Sequence, residues 1–408
     1  MGNAPDIGED AAPFEEKFFT LGKHWTLLVH AAATLLRFPL RSAVVVMCLA
    51  VILSPFVTAI AINEGVKSEY AHSLRESGDV LVTADSYGSN APVDLQVMKR
   101  IEAIQGVTRV VPRVIGRTYV EGKLIAVVGS GYDSVSPSVR VIRGRTPTAA
   151  RELMLGFRAA RHLGLDVGTR FSLTRRSGMV FEIVGLFDAP CTIWTSDLLF
   201  MGFEDASELF SMHDKATDLV VHTRPGYQHV VDALIRTSEQ HAGESDVLLR
   251  VQTRRLIERY TRRGFDIRAG VFAGFYSLVL ALAIPSLGVI SGFGLAERRK
   301  EIGIIKALGW QTREVLELVA LEHLLLSVAS LPIIVAATVI WIHALNGIGL
   351  VGFFVPGMDI LIPFPVPAKI FPIPFVLALI LAPTLTMVGS IYWTWRAAVI
   401  PPSSAMNA

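Results

Sequence analysis

Four stretches without a charged residue constrain this chain more than any other feature: Ser42 to Ile62, Val271 to Ala296, Leu324 to Ile342 and Phe371 to Trp395. About 20 residues of helix cross a hydrocarbon layer roughly 30 Å thick. Inside such a layer the backbone finds no water, so a span outside a closed barrel folds as a helix. The third stretch extends back to Val315 if the helix tolerates Glu317, Glu322 and His323. Apolar residues make up 51% of the 408 residues and charged ones 18%, too apolar a balance for a purely soluble protein. The first stretch follows 41 residues and is longer than a signal-peptide core, so it reads as a retained span. Each span has an interior proline, Pro55, Pro285, Pro332 or Pro383, as membrane helices often do.

The spans divide the chain. Residues 1–41 precede the first span, 42–62, and Pro13 to Arg41 reads as an amphipathic helix lying on a membrane surface. Residues 63–270 form a large α+β domain inserted between spans 1 and 2. Span 2 is 271–296, a charged segment occupies 297–314, span 3 is 315–343, a short loop covers 344–370, span 4 is 371–395 and the tail is 396–408. Pro356, Pro363, Pro365 and Pro367 rule out a regular helix through the loop.

Within the domain, Asp94 is placed to cap a helix carrying Leu95, Met98, Ile101 and Ile104 on one face. Strand-like runs follow at 108–115 and 118–128. A second unit reads strand, helix, strand over Glu152 to Leu155, Phe157 to Leu163 and Val167 to Leu173. Ser177-Gly178 reads as a hairpin turn before a strand at Val180 to Phe187. Thr217 to His222 reads as a strand and Tyr227 to Arg236 as a helix. The runs 63–76 and 253–268 read as helices continuing out of the spans, the second with Arg255, Arg259 and Arg263 on one face.

Basic residues do not place the domain. With an inner N-terminus, nine basic residues flank the inner span ends and nine flank the outer ones, a tie under the positive-inside rule.

The segment between spans 2 and 3 is the densest in charge. Glu297, Arg298, Arg299, Lys300 and Glu301 open a run without a helix breaker other than Gly303. Early acids and a late Lys306 suit the helix dipole. Ile302, Ile305 and Leu308 are spaced to share a face, Gly309 is a natural stop, and Thr312 is placed to cap the next helix. A short charged helix held at both ends suits docking another protein, and equally an anchor for the loop. Glu322, about two turns into span 3, reads either as an intramembrane coupling residue or as a group at headgroup level.

The run Glu297 to Gly309, ERRKEIGIIKALG, resembles the signature of FtsX/MacB-type ABC transporter permeases. Glu322, the closing Arg396-Ala397-Ala398 with Pro401, Ser404 and Ala405, and FRAARHLGLDVGTRFSL with Phe181 to Gly185 resemble further family segments. The resemblance implies an α-helical membrane protein with four transmembrane helices and a large, MacB-like α+β extracytoplasmic domain between helices 1 and 2. It implies a coupling helix for ATPase docking made by Glu297, Arg298, Arg299, Lys300, Glu301, Ile302, Gly303, Ile305, Lys306, Leu308 and Gly309. The N-terminus, this helix and the C-terminus would face the cytoplasm, in a cell inner membrane.

No GxxxxGK[ST] is present: Gly22-Lys23 runs into His24 and Gly122-Lys123 into Leu124. The expected protein is therefore not an enzyme. ATP and Mg would sit on a separate ABC ATPase subunit, with no cofactor bound directly. A second permease chain, identical or paralogous, would complete the unit, with membrane lipids and an extracytoplasmic adaptor or cargo protein as further partners. The scattered His162, His213, His222, His229 and His241 lack ligand spacing, no catalytic set stands out, and no nucleic-acid signature is visible. The expected function is the membrane subunit of an exporter that extrudes or releases a lipoprotein, peptide, lipid or drug. The alternative is an FtsX-like regulator passing ATPase motion to an extracytoplasmic enzyme such as a cell-wall hydrolase.

Overall fold

The computed structural model describes residues 12–75, 78–120, 122–135, 139–173, 178–189, 191–224, 230–236, 248–292, 295–355 and 364–399. Ser177, Tyr227, His229, His241, Pro356, Pro363 and the tail from Ile400 lie outside them, as do the side chains of 12–24 and 291–299. The chain forms two compact units, one of residues 1–61, 270–345 and 370–408, the other of 62–269 and 346–369.

The first unit is helical. It contains α1 (Ala12–Arg37), the first part of α2 (Pro39–Arg75), most of the apolar part of α7 (Arg254–Gly292), α8 (Leu295–Ala307), α9 (Thr312–His343) and α11 (Pro372–Val399). Among the described residues, four helices are long and apolar enough to cross a membrane, by length and composition: α2, α7, α9 and α11. Leu49, Leu53 and Val57 of α2 pack with Ile334 of α9 and Ala378, Ala382 and Leu385 of α11. The small Ala378 and Ala382 lie one turn apart and let backbones approach closely, which drives helix packing where burial from water cannot. Gly389 does the same against α7, where an added Cβ would come within 2.9 Å of the Ile284 carbonyl oxygen. Of the apolar windows, that of α2 is 61% buried and that of α7 only 22%, so α2 is central and α7 peripheral.

The second unit is built on one large sheet. Its strands are β1 (Val80–Ser86), β2 (Ser89–Ala91), β4 (Val107–Val120), β5 (Lys123–Ser130), β6 (Arg140–Gly144), β7 (Glu152–Gly156), β8 (Arg170–Ser172), β9 (Val180–Asp188), β10 (Leu198–Gly202), β12 (Asp218–Thr223) and β13 (Leu248–Thr253). The order is β13-β1-β12-β4-β5-β10-β7-β9-β6, with β2 on β1 and β8 on β9. A separate ribbon pairs β3 (Val93–Asp94) with β11 (Lys215–Ala216).

One sheet carries two main cores. Val80, Val82, Val97, Ile101, Val110, Leu219 and Val221 fill the first, under α3 (Gln96–Glu102) and the helical residues 230–236. Ile125, Leu153, Leu155, Phe181, Ile183, Leu199 and Met201 fill the second, under α4 (Phe157–Leu163), α5 (Thr192–Asp197) and α6 (Phe203–Leu209). Strand β4 serves both, pairing with β12 over Val107 to Arg113 and with β5 over Val114 to Val120.

Several expectations change in detail. The runs at 108–115 and 118–128 are not separate strands: β4 continues through Gly116, and the turn comes at Gly122, whose φ is +81°. Helix α3 starts at Gln96, and Asp94 acts from inside β3, its carboxylate accepting the Gln96 N–H at 2.8 Å. The strand expected at 167–173 shrinks to Arg170–Ser172. The loop 344–370 includes one helical turn, α10 (Val351–Phe354).

Candidate functional site

The charged segment forms α8, a turn and the start of α9. Glu297, Arg298, Arg299, Lys300, Glu301, Ile302, Gly303, Ile305 and Lys306 lie in α8; Leu308 and Gly309 lie in the turn. The side chains of Glu297, Arg298 and Arg299 are outside the described residues, and Lys300 is exposed. Gly309 has a φ of +98°, the left-handed conformation a side chain resists. Its N–H donates to the Lys306 carbonyl at 3.0 Å and the Trp310 N–H to the Ile305 carbonyl at 3.3 Å. These two bonds are those of a Schellman stop, and Trp310 and Ile305 pack in one cluster, the apolar contact that accompanies such a stop.

The next helix is capped by Gln311, not Thr312, which becomes the first helical residue. The Gln311 N–H donates to Glu314 Oε2 at 2.9 Å, one half of a capping box. The Q-x-x-E spacing at 311–314 carried this signal in the sequence. Arg313 Nε pairs with Glu317 Oε1 at 3.3 Å, one turn on.

The face predicted for α8 is only partly formed. Ile302 is buried against Val315, with Ile305 beside them. Leu308 is 76% exposed. At 3.6 residues per turn, a step of three falls about 60° short of a full turn, so by Leu308 the row has drifted about 120° from Ile302.

Helix α1 closes this corner, which the sequence reading did not foresee. Leu27 and Ala31 are buried with Leu318, and Ile305, Trp310, Leu321 and Leu325 pack around them. The His30 and Trp310 rings lie 6.0 Å apart. Trp25, Val29 and Leu36 of α1 remain exposed. The amphipathic helix thus divides its apolar residues between protein and surroundings.

Glu322 and His323 are both buried on α9. The His323 ring is 2.7 Å from Ser390 Oγ of α11 through Nε2, and Ser327 Oγ donates to the His323 carbonyl at 2.7 Å. Glu322 is one of the buried residues of α9.

At the other end of α7, Asp79 clamps the helix to the sheet. Its carboxylate pairs with Arg254 and accepts the Thr223 N–H at 2.9 Å, while the Arg254 N–H donates to the Asp79 carbonyl at 3.0 Å. Arg255, Arg259 and Arg263 are exposed.

Four long apolar helices, a charged helical corner and an α+β domain inserted after the first apolar helix define the architecture of a chain with four candidate membrane spans. Residues 273–402 match the family described as FtsX-like permease C-terminal, and residues 42–236 match the MacB-like periplasmic core domain. Both the helical C-terminal part of the chain and its first apolar helix with the α+β domain thus match models of FtsX/MacB-type permeases. Solved structures similar to it include the extracellular domain of the noncanonic ABC-type transporter YknZ from Gram-positive bacteria. That likeness has 15% identity, a TM-score of 0.34, and covers 42% of this chain and 100% of that one. The periplasmic region of MacB from Actinobacillus actinomycetemcomitans is similar at 11% identity and a TM-score of 0.36, covering 46% of this chain and 94% of that one. No curated protein sequence matches the chain.

Proposed function

We propose that this chain is the membrane subunit of an ABC exporter. It passes motion from a separate ATPase to its α+β domain, which then extrudes or releases cargo. The observation that carries this reading is the corner at 300–318. Its helix is stopped by Gly309, recapped at Gln311 and braced by Leu27 and Ala31, so a push on the exposed Lys300 side moves a packed unit. Helices α2, α7, α9 and α11 cross the inner membrane in this reading, with the 297–314 segment cytoplasmic and the large domain outside. Motion then runs along α7 to the sheet through the Arg254–Asp79 clamp. Glu322, buried beside the His323–Ser390 contact, sits where α9 shifts would reach α11.

ATP and Mg belong to the partner ATPase, and a second permease chain, identical or paralogous, completes the transporter. The test is charge reversal at Arg299 and Lys300 together. We expect the purified permease to stay folded and to lose stimulation of its ATPase. Unchanged stimulation would overturn the docking role. Co-purification of an extracytoplasmic hydrolase instead of a lipid, peptide or lipoprotein would assign the same motion to regulation of that enzyme.

A further inference from the structure

The second unit contains a half-open cleft of about 230 Å³ between α2, α7 and the end of the 346–369 loop. Lys67, Arg262 and Lys369 line it with the carboxylates Glu64 and Glu258, and Tyr70 and Phe265 form an aromatic wall. Lys67 is occupied: its Nζ is 3.1 Å from Glu64 and 2.7 Å from Asp266. Arg262, Lys369 and Glu258 make no ion pair among the described residues. The cleft therefore presents two uncommitted cations and one uncommitted carboxylate.

The cleft is built. Gly65 lies so close to the loop that an added Cβ would come within 2.3 Å of the Pro367 carbonyl oxygen, which fixes Lys369 two residues on. Tyr70 and Phe265 meet edge to face at 5.8 Å, and the Tyr70 hydroxyl accepts a hydrogen bond from Thr261 Oγ1 at 3.1 Å.

Its place along the chain is specific. Lys67 is five residues past Ile62 on one continuous helix, about 7.5 Å along it. Lys369 precedes the last apolar stretch by two residues, and Arg262 is nine residues before Val271 on continuous α7. Three apolar stretches thus end within nine residues, along the chain, of residues that line the same cleft. Its aromatic lining suits the zone where ring and cation side chains gather at a membrane boundary. Its volume is below the ~300–1,000 Å³ of pockets that enclose a drug-sized ligand, which fits a headgroup whose tails stay outside.

We propose that this cleft binds the zwitterionic headgroup of a phospholipid, with its phosphodiester on Arg262 and Lys369. Its ammonium faces Glu258 and the Tyr70–Phe265 wall, since carboxylates and aromatic rings both attract ammonium. The cations alone would accept any phosphate; the carboxylates disfavour ligands carrying only negative charge. The inference rests on α2, α7 and α11 spanning a membrane, and it needs no ATPase.

The test uses the full chain purified in detergent with equal amounts of phosphatidylethanolamine and phosphatidylglycerol, and native mass spectrometry to count the retained lipid. Wild type should retain phosphatidylethanolamine in preference. Arg262→Gln with Lys369→Gln should lower its retention by at least about tenfold, equivalent to about 1.4 kcal/mol. Ser68→Trp, which fills the cleft and leaves its charges, should do the same and serves if the double variant is unfolded. Arg255→Gln with Arg259→Gln, exposed on the same helix, should leave retention unchanged. Equal retention by wild type and Ser68→Trp overturns the proposal, as does equal retention of phosphatidylglycerol. Displacement of the lipid by millimolar inorganic phosphate would assign the site to free phosphate and overturn it too. ATPase stimulation in the same samples reports separately on the exporter reading.

Discussion

Arg113 and Asp218 face each other across β4 and β12 in a two-pronged ion pair, Nε to Oδ1 at 2.8 Å and Nη2 to Oδ2 at 2.9 Å. Arg113 is the last β4 residue paired with β12; from Val114 the strand pairs with β5. The pair thus marks where one strand passes between two cores, and Asp218 is only 5% exposed there. Removing the arginine leaves the buried Asp218 carboxylate uncompensated, so Arg113→Ala should cost about 3–5 kcal/mol. Hydrogen exchange on the purified chain should show β12 and the first half of β4 losing protection before β5. Arg113→Met with Asp218→Leu should recover most of the loss, because a well-packed apolar pair often replaces a buried ion pair without penalty. Protection lost evenly across the sheet would contradict this.

How far the sequence discloses such a relationship depends on its range. The four long apolar helices were legible because their signal is local: length without charge is enough. The helix at 157–163 and the strands at 180–188 and 218–223 were legible from short patterns bounded by turn residues. Strand β1 alternates buried and half-buried residues, yet its main partners, β12 and β13, lie more than 130 residues downstream, and no local pattern names them. The continuity of β4 through Gly116 was hidden because glycine reads as a breaker. Here an added Cβ would meet the Phe210 ring at 2.3 Å, so the glycine makes room for a side chain instead of turning the chain. At the charged corner the stop at Gly309 was legible and the brace by Leu27 and Ala31 was not, since the two are almost 300 residues apart.

The Gly309 stop gives a sharp test with an internal control. Gly309→Ala puts a Cβ on a residue at φ +98°, a conformation that costs a non-glycine residue on the order of 1–2 kcal/mol. We expect looser packing of the corner and a several-fold loss of ATPase stimulation at unchanged expression. Gly264→Ala is the control: an added Cβ meets nothing within 4 Å there, in the middle of α7. It should leave coupling intact and raise stability by about 0.5–1 kcal/mol, as Ala in place of Gly does in a helix. Equal coupling in the two variants would remove the turn from the mechanism.

Asp197, at the end of α5, is buried, and burial pushes its carboxyl up from 3.8 to about 6, against the opposing pull of the Arg117 charge. The folded state therefore holds this proton more tightly than the unfolded chain. Its contribution to stability, about 3 kcal/mol, is present below pH ~4 and is lost as pH rises to ~6. Glu152 works the other way: hydrogen bonding to Arg145 holds it at about 2, so its contribution is present above the ordinary range near 4.5 and lost as pH falls toward 2. Asp197→Asn should flatten the fall in stability between pH 4 and 6 and make the chain more stable than wild type at pH 7.5. Thermal denaturation at a series of pH values checks it, and an unchanged slope would assign the titration elsewhere.

Ala31 tests whether α1 belongs to the moving corner. Its side chain has no exposed surface, and it packs with Leu27 against Leu318. Ala31→Leu adds three carbons to a filled contact, which costs about 1–3 kcal/mol when neighbours must shift. The expected result is that α1 lifts from α9, seen as faster hydrogen exchange and protease cleavage over residues 25–37. ATPase stimulation should fall with it, because Trp310 and Ile305 share the same cluster and lose their backing. Ala33 sits on the exposed side of the same helix, so Ala33→Leu should change neither property. If Ala31→Leu frees α1 while coupling stays intact, then α1 anchors the chain without bracing the corner, and transmission would have to run through the Ile302–Val315 contact alone.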